Sequence, residues 1–310
     1  MTFVSTSTST SILLILNPTA GRRRHGLVDA VLARVRAEGW TVDVVETEAA
    51  GDARRLAEAC DAARYGVIAV AGGDGTINEV VNGLAARAAT APPLAIVPLG
   101  TANVLAHELG LHASAAAVAR TMTGGREVLM HPGRASGSGA PRCFSLMAGA
   151  GFDAKVVAGV TAPLKRRWGK AAYVWRSMIE ARLYRPVRYA VEIDGETHEA
   201  ASVIVTHARH YAGPYVVAPD ASLGDRLLHV CLFERWGWMQ ALRFGAALLL
   251  GTLPRTAGYR VIAGREVRIS VRSDAGERRR QPVQIDGDDA LTLPVSIGLA
   301  TEAVRVLRPA

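Results

Sequence analysis

Gly72-Gly73-Asp74-Gly75-Thr76 sets three glycines and one carboxylate in five consecutive positions, followed at once by Ile77-Asn78-Glu79. Glycines let the backbone take positive φ and let an anion approach unshielded N–H groups, so this spacing suits a phosphate. A carboxylate inside such a turn repels that phosphate unless a divalent cation or a proton transfer accounts for it. Asp74 therefore reads as a candidate for phosphoryl-transfer chemistry, with a metal-linked role favoured over an Asx-type brace of its own loop.

The turn needs elements to hold it. Residues 66–71 form a short apolar run suited to a buried parallel strand, and Ile77, Val80, Val81 and Leu84 recur at helical spacing. Thr76 precedes Glu79 by three residues, the pattern of a capping box, so the helix is expected to start there. The same strand, turn and helix order appears before it. Residues 12–16 are strand-like and run into Asn17-Pro18-Thr19-Ala20-Gly21, after which Leu27, Val28, Val31, Leu32 and Val35 mark a helix face. A strand over 41–45, a helix over 53–63, and a strand over 94–98 leading into Leu99-Gly100-Thr101-Ala102-Asn103 extend the alternation. Such alternation implies a parallel α/β sheet with ligands at the carboxyl ends of its strands. Four such ends carry small, polar or glycine residues: 17–21, 46–47, 72–76 and 100–103.

Past Arg126 the pattern changes to strands, over 143–150, 187–193, 200–206, 227–233, 259–262, 266–271 and 282–285, with a hairpin loop over 133–141 and helical patches at 171–183 and 238–250. The expected organisation is an α/β domain over 11–126 and a mostly antiparallel β-sandwich domain over 127–310, whose last strand, 303–307, could pair with either. Read alone, Asp286-Gly287-Asp288 is an ordinary Asp-Gly hairpin turn.

Composition limits the classes. The chain has 310 residues, 49% hydrophobic and 21% charged, enough for two folded domains. Its net charge of +8 comes almost wholly from arginine, since Lys155, Lys165 and Lys170 are the only lysines, and suits nucleotide phosphates, nucleic acid or an anionic membrane. No recognition-helix or aromatic-platform signature supports nucleic acid. Cys60, Cys143 and Cys231 are far apart without CxxC spacing, and His207 with His210 lacks a third ligand nearby, so neither disulfides nor zinc are expected and a reducing cytoplasm is. The first eleven residues read as a frayed leader. The apolar stretch 236–253, interrupted by Gln240 and Arg243, falls short of the roughly 20 residues a spanning helix needs and reads as a buried or interfacial helix. Lys165-Arg166-Arg167-Trp168, with Trp175, Arg182, Tyr184 and Arg185, reads as a membrane-interface segment, whereas Arg22-Arg23-Arg24 fits a solvated run and a phosphate contact equally.

Five motifs, in order and over almost the whole chain, resemble the diacylglycerol kinase catalytic-domain family, which includes bacterial lipid kinases, sphingosine kinases and ceramide kinases. They are Asn17-Pro18-Thr19-Ala20-Gly21, residues 72–79, Pro98-Leu99-Gly100-Thr101-Ala102-Asn103, Gly149-Ala150-Gly151-Phe152-Asp153-Ala154 and Asp286-Gly287-Asp288. The resemblance implies a two-domain kinase with nucleotide and lipid meeting in the cleft between domains. It implies ATP contacts at Asn17, Thr47, Gly72, Gly73, Asp74, Gly75, Thr76, Ile77, Asn78 and Thr101. It carries the general base to Asp288, with Asp286 as rival, in a motif that usually ends in glutamate. It also implies a structural Mg²⁺ held by Asp225 with the carbonyls of Ser222 and Leu227, although Arg226 and His229 replace the usual glycine and acid.

The function expected from these residues is an ATP- and Mg²⁺-dependent kinase phosphorylating a hydroxyl of a diacylglycerol-like or sphingoid lipid. The expected setting is the cytoplasmic membrane face, reached peripherally through anionic membrane contact, without nucleic acid and with a homodimer left open. The alternatives are a kinase of the same architecture acting on a soluble acceptor such as NAD, and a non-catalytic nucleotide- or lipid-binding protein.

Overall fold

The computed structural model describes residues 9–21, 25–87, 90–159, 179–180, 182, 187–235, 237–272 and 281–310. The expected interfacial segment at 165–185 lies almost entirely outside these residues, as does the arginine run 22–24.

In chain order the first elements are β1 (Ser11–Leu16), α1 (His25–Ala37), β2 (Thr41–Glu46), α2 (Asp52–Glu58), β3 (Val67–Gly72), α3 (Asp74–Ala85), β4 (Leu94–Pro98), α4 (Val104–Glu108), α5 (Ala115–Gly124) and β5 (Arg126–Met130). Then follow β6 (Gly133–Gly137), β7 (Gly139–Phe144), β8 (Met147–Ala150), α6 (Phe152–Gly159), β9 (Tyr189–Ile193), β10 (Glu196–Ala200), β11 (Ser202–Thr206), β12 (His210–Tyr211), β13 (Tyr215–Val216) and β14 (Leu228–Phe233). The remaining elements are α7 (Trp238–Leu249), β15 (Tyr259–Gly264), β16 (Val267–Val271), β17 (Pro282–Ile285), β18 (Asp288–Thr292), β19 (Val295–Leu299) and β20 (Val304–Arg308).

Two compact units result, one of Met1–His131 with Thr301–Ala310, the other Pro132–Ala300. In the first, the strand order is β2-β1-β3-β4-β20-β5, with β1 to β4 parallel. Every residue of β3 and β4 is buried, as expected for strands with helices on both faces. β20 runs parallel to β4 and antiparallel to β5, so the strand expected near 303–307 lies in the first sheet. The expected boundary at Arg126 cuts off β5, which belongs to that sheet through five register pairs with β20. The helix expected over 53–63 ends instead at Glu58, where the Arg87 guanidinium donates to the carbonyls of Glu58, at 2.8 Å, and Cys60. Those carbonyls are thereby satisfied without a further helical turn.

The second unit holds two antiparallel six-stranded sheets, β10-β9-β16-β19-β6-β7 and β15-β14-β11-β8-β17-β18. Alternate residues of both sheets, among them Tyr189, Val191 and Val295 from one and Val203, Val230 and Val283 from the other, share one buried core. This is a β-sandwich. The single strand expected over 143–150 breaks at Ser145–Leu146, where the chain passes from one sheet to the other. The N–H groups of Ser145, Leu146 and Met147 donate to the Asp286 carboxylate.

Candidate functional site

Three turns at strand ends of the first unit meet through backbone contacts that tolerate little side chain. The N–H groups of Leu99 and Gly100 both donate to the Gly72 carbonyl, at 3.0 and 3.2 Å. A Cβ on Gly100 would stand 2.7 Å from the Gly73 Cα and 2.7 Å from Asn103 Oδ1. Gly21, at φ +55°, lies so near Leu99 that a Cβ would come within 2.2 Å of its carbonyl oxygen. Glycine is required at both places by the approach of another backbone.

Asn17 ties the first turn to the second. Its N–H donates to the Ala71 carbonyl at 2.9 Å and its Nδ2 to Thr76 Oγ1 at 2.9 Å, while Oδ1 accepts from the N–H and hydroxyl of Thr19 at 3.0 and 2.8 Å. This accounts for a departure from the capping-box expectation. α3 starts at Asp74, because the Ile77 N–H already donates to the Gly73 carbonyl, and Thr76 lies inside the first turn with its hydroxyl engaged by Asn17. The first turn of α3 thus leaves N–H groups without intrahelical partners beside small residues, a setting that favours an anion.

Asp74 is the first residue of α3, and its Oδ1 is buried without a hydrogen-bond partner among the described residues. Burial raises its carboxyl above the ordinary value, against the N–H groups of Leu105, Val104 and Asn103, which pull it down. Asn103, held at φ 49°, has a second buried and unpartnered oxygen, Oδ1. Two such oxygens beside the Gly73–Gly100 crossing can receive a hydrated cation, as Mg²⁺ keeps several waters and takes few protein ligands. Gly75 and Thr101 are exposed at the surface of these turns, and Ile77 is fully buried and serves packing. Asn78 accepts from the Asn82 amide through its side-chain oxygen at 3.0 Å. Thr47 follows β2 and donates its N–H to the Leu16 carbonyl at 2.9 Å, at the same end of the sheet.

In the second unit, Asp286 and Gly287 form a two-residue hairpin turn between β17 and β18, both with positive φ, 47° and 85°. The Asp286 carboxylate accepts four bonds: Oδ2 from the Ser145 N–H and hydroxyl at 2.6 and 2.8 Å, Oδ1 from the Leu146 and Met147 N–H groups at 3.0 and 2.9 Å. Burial outweighs these donors and raises its carboxyl to about 6. Asp288, the first residue of β18, is exposed. Gln284 holds the same hairpin, accepting from the Gly287 N–H at 2.8 Å and donating to Asp153 Oδ2 at 2.7 Å. Asp153 Oδ1 accepts from the Tyr211 hydroxyl. Burial raises the Asp153 carboxyl against both donors.

Asn103, Asp153, Gln284 and Ser145 make these contacts without being expected site residues from the sequence. Asn103 and Asp153 stood inside quoted motifs, whereas Gln284 and Ser145 gave no signal by type or spacing. Two clefts of the second unit, about 510 Å³ along Arg134, Glu192, Glu266 and Arg268 and about 280 Å³ beside Pro282, Ala290 and Leu291, contain none of the expected site residues.

Ser222, Asp225 and Leu227 are exposed, and the Ser222 carbonyl accepts the Asp225 N–H at 3.1 Å in a turn. His229 is buried, which pushes its imidazole pKa down, with Asp220 and Asp225 opposing. Among the described residues no three acidic, histidine or cysteine side chains cluster as a metal site.

Residues 11–135 match the profile of the diacylglycerol kinase catalytic domain, and residues 147–308 that of the YegS C-terminal NAD kinase beta sandwich-like domain. The chain is 30% identical over 244 residues to a diacylglycerol kinase of Bacillus subtilis (strain 168), covering 77% of this chain and 78% of that one. To a diacylglycerol kinase of Mycobacterium tuberculosis it is 28% identical over 312 residues, covering 96% and 95%. In fold it is similar to the crystal structure of a diacylglycerol kinase from Bacillus anthracis, with a TM-score of 0.75 at 22% identity and 98% coverage of both chains.

Proposed function

Since the chain belongs to the diacylglycerol kinase catalytic-domain family, and hence to the phosphotransferases, we propose that it moves the γ-phosphoryl group of ATP to a hydroxyl of a diacylglycerol-like or sphingoid lipid. The observation that carries this reading is the pairing on one hairpin of a saturated carboxylate, Asp286, with an exposed one, Asp288. Transfer to an alcohol needs a carboxylate that can reach a proton from outside the fold, and Asp288 meets that need where Asp286 does not.

In this reading the unpaired N–H groups at the start of α3 and the glycines Gly72, Gly73 and Gly75 receive the ATP phosphates, with Thr47 and Thr101 at neighbouring strand ends. Mg²⁺, when bound, neutralises phosphate charge, and Asp74 with Asn103 would hold it through their unpartnered oxygens. Asp288 accepts the acceptor hydroxyl proton as that oxygen bonds to the γ-phosphorus. The bond from the γ-phosphorus to the bridging oxygen breaks, ADP leaves, and the proton passes to solvent. Asp286 positions the hairpin.

A membrane lipid as acceptor implies work at the cytoplasmic membrane face. The test is incubation of the purified chain with γ-labelled ATP, magnesium and a panel of diacylglycerol, monoacylglycerol, sphingosine, ceramide and NAD. Label in a lipid extract supports the reading. Label only in NADP assigns a soluble acceptor, and nucleotide binding with no transfer under any divalent cation assigns a binding protein.

A further inference from the structure

α7 turns its apolar side the wrong way for a helix of a water-surrounded fold. Among its residues only Phe244 and Ala247 are buried, Phe244 packing edge-on against Phe233 at 5.2 Å between ring centres. By contrast Trp238, Met239, Leu242, Leu249 and the following Leu250 are 60 to 77% exposed. At 3.6 residues per turn these five fall within an arc of about 120°, and Phe244 and Ala247 lie outside it. Single exposed apolar residues are commonplace, but five large ones on one face mark a surface meant to be covered.

The chemistry around that face selects the cover. Residues 235–258 contain Arg235, Arg243 and Arg255 and no aspartate or glutamate. All three arginines are exposed, and the nearest preceding acid, Glu234, is paired with Arg260 at 2.5 Å. A second copy of the chain docked face to face would bring arginine against arginine with no acid between them. An anionic bilayer supplies apolar depth for the side chains and phosphates for the guanidinium groups, which can rise along their stems to the headgroups. Trp238 at the start of the helix suits the boundary between the two. Twelve residues make a helix of about 18 Å, too short to span the roughly 30 Å hydrocarbon layer, so the helix would lie in the plane of the surface.

We propose that α7 is a membrane-docking helix, seating Trp238, Met239, Leu242, Leu249 and Leu250 at the acyl boundary of an anionic phospholipid surface, with Arg235, Arg243 and Arg255 on the headgroups. This surface stands whether or not the acceptor is a lipid. The test is sedimentation of the full chain with phosphatidylglycerol–phosphatidylcholine vesicles and with phosphatidylcholine vesicles. Expected are binding to the anionic vesicles that weakens in high salt, and a loss of at least tenfold in the triple variant Trp238→Ser, Leu242→Ser, Leu249→Ser. Circular dichroism and thermal melting should be unchanged, because the three side chains are exposed. Phosphorylation of a detergent-dispersed acceptor should persist in the triple variant, which separates docking from the proposed chemistry. Equal vesicle binding by wild type and variant, or no binding by wild type, overturns the proposal. So does a wild-type dimer in light scattering that the triple variant abolishes without any vesicle binding, which would assign the face to a second copy.

Discussion

Asp286 and Asp288 are two residues apart on one hairpin and differ in what surrounds them: Asp286 accepts four hydrogen bonds from Ser145, Leu146 and Met147, while Asp288 is exposed. One carboxylate is taken up by the fold, and the exposed one is the base in the proposed reading. Asp288→Asn should lower ATP-dependent phosphorylation by about 10² to 10⁴-fold. The thermal midpoint and the stabilisation by ATP should remain as in the wild type, measured by calorimetry. Turnover near the wild-type rate would remove Asp288 from the role of base.

Asp286→Ala should instead destabilise the second unit by about 2–4 kcal/mol, since three backbone N–H groups lose their acceptor. Its pH behaviour has a definite sign. The folded value, raised from 3.8 to about 6, means that the fold prefers the protonated carboxyl. Its contribution to stability is therefore fully present below about pH 3.8 and is lost as pH rises through about 6, a difference of about 3 kcal/mol. Urea titrations of wild type and Asp286→Asn from pH 4 to 8 should show the gap between the two change over that window, and a constant gap would contradict it.

Gly100→Ala tests the meeting of the turns. The added methyl would lie 2.7 Å from both the Gly73 Cα and Asn103 Oδ1, so the two turns must part. The expected cost is about 1–3 kcal/mol, with a weaker rise in melting temperature on adding ATP. Gly75→Ala, which meets nothing within 4 Å, is the control and should melt within a few degrees of wild type.

Asp74→Asn should trade stability against activity. The buried carboxyl, raised by desolvation, contributes less to stability as pH rises through its folded value, so a neutral amide should melt at or above the wild-type temperature at pH 7.5. Magnesium-dependent phosphorylation should fall by on the order of 10²-fold. A variant that both melts lower and retains turnover would refute the metal-linked role.

The alternation of apolar strands and amphipathic helices was legible because β3 and β4 are buried on both faces and carry no polar residue to blur the pattern. The sandwich strands β14 and β17 were legible as short, mostly apolar runs despite His229 and Gln284 within them. The start of α3 was misplaced by three residues because Thr76 and Glu79 imitate a cap, and only the long-range bond from Asn17 shows that the threonine is spoken for. The break at Ser145 could not be read from its neighbourhood, since its cause, Asp286, is 141 residues away. The acidic pair illustrates the same limit, because two aspartates on either side of one glycine are alike in sequence and differ in the distant groups that reach them.

The placement of β20 has a consequence for biosynthesis. β5 joins the first sheet only through β20, and β20 is made after the whole of Pro132–Ala300. While a ribosome is still producing the sandwich, β4 is the outer strand of a four-stranded sheet and β5 has no partner in it. Until β20 is added, the nascent α/β unit keeps an open strand edge, the kind of surface that invites mispairing. Ribosome-bound chains stalled just before residue 304 should be the form most dependent on chaperones.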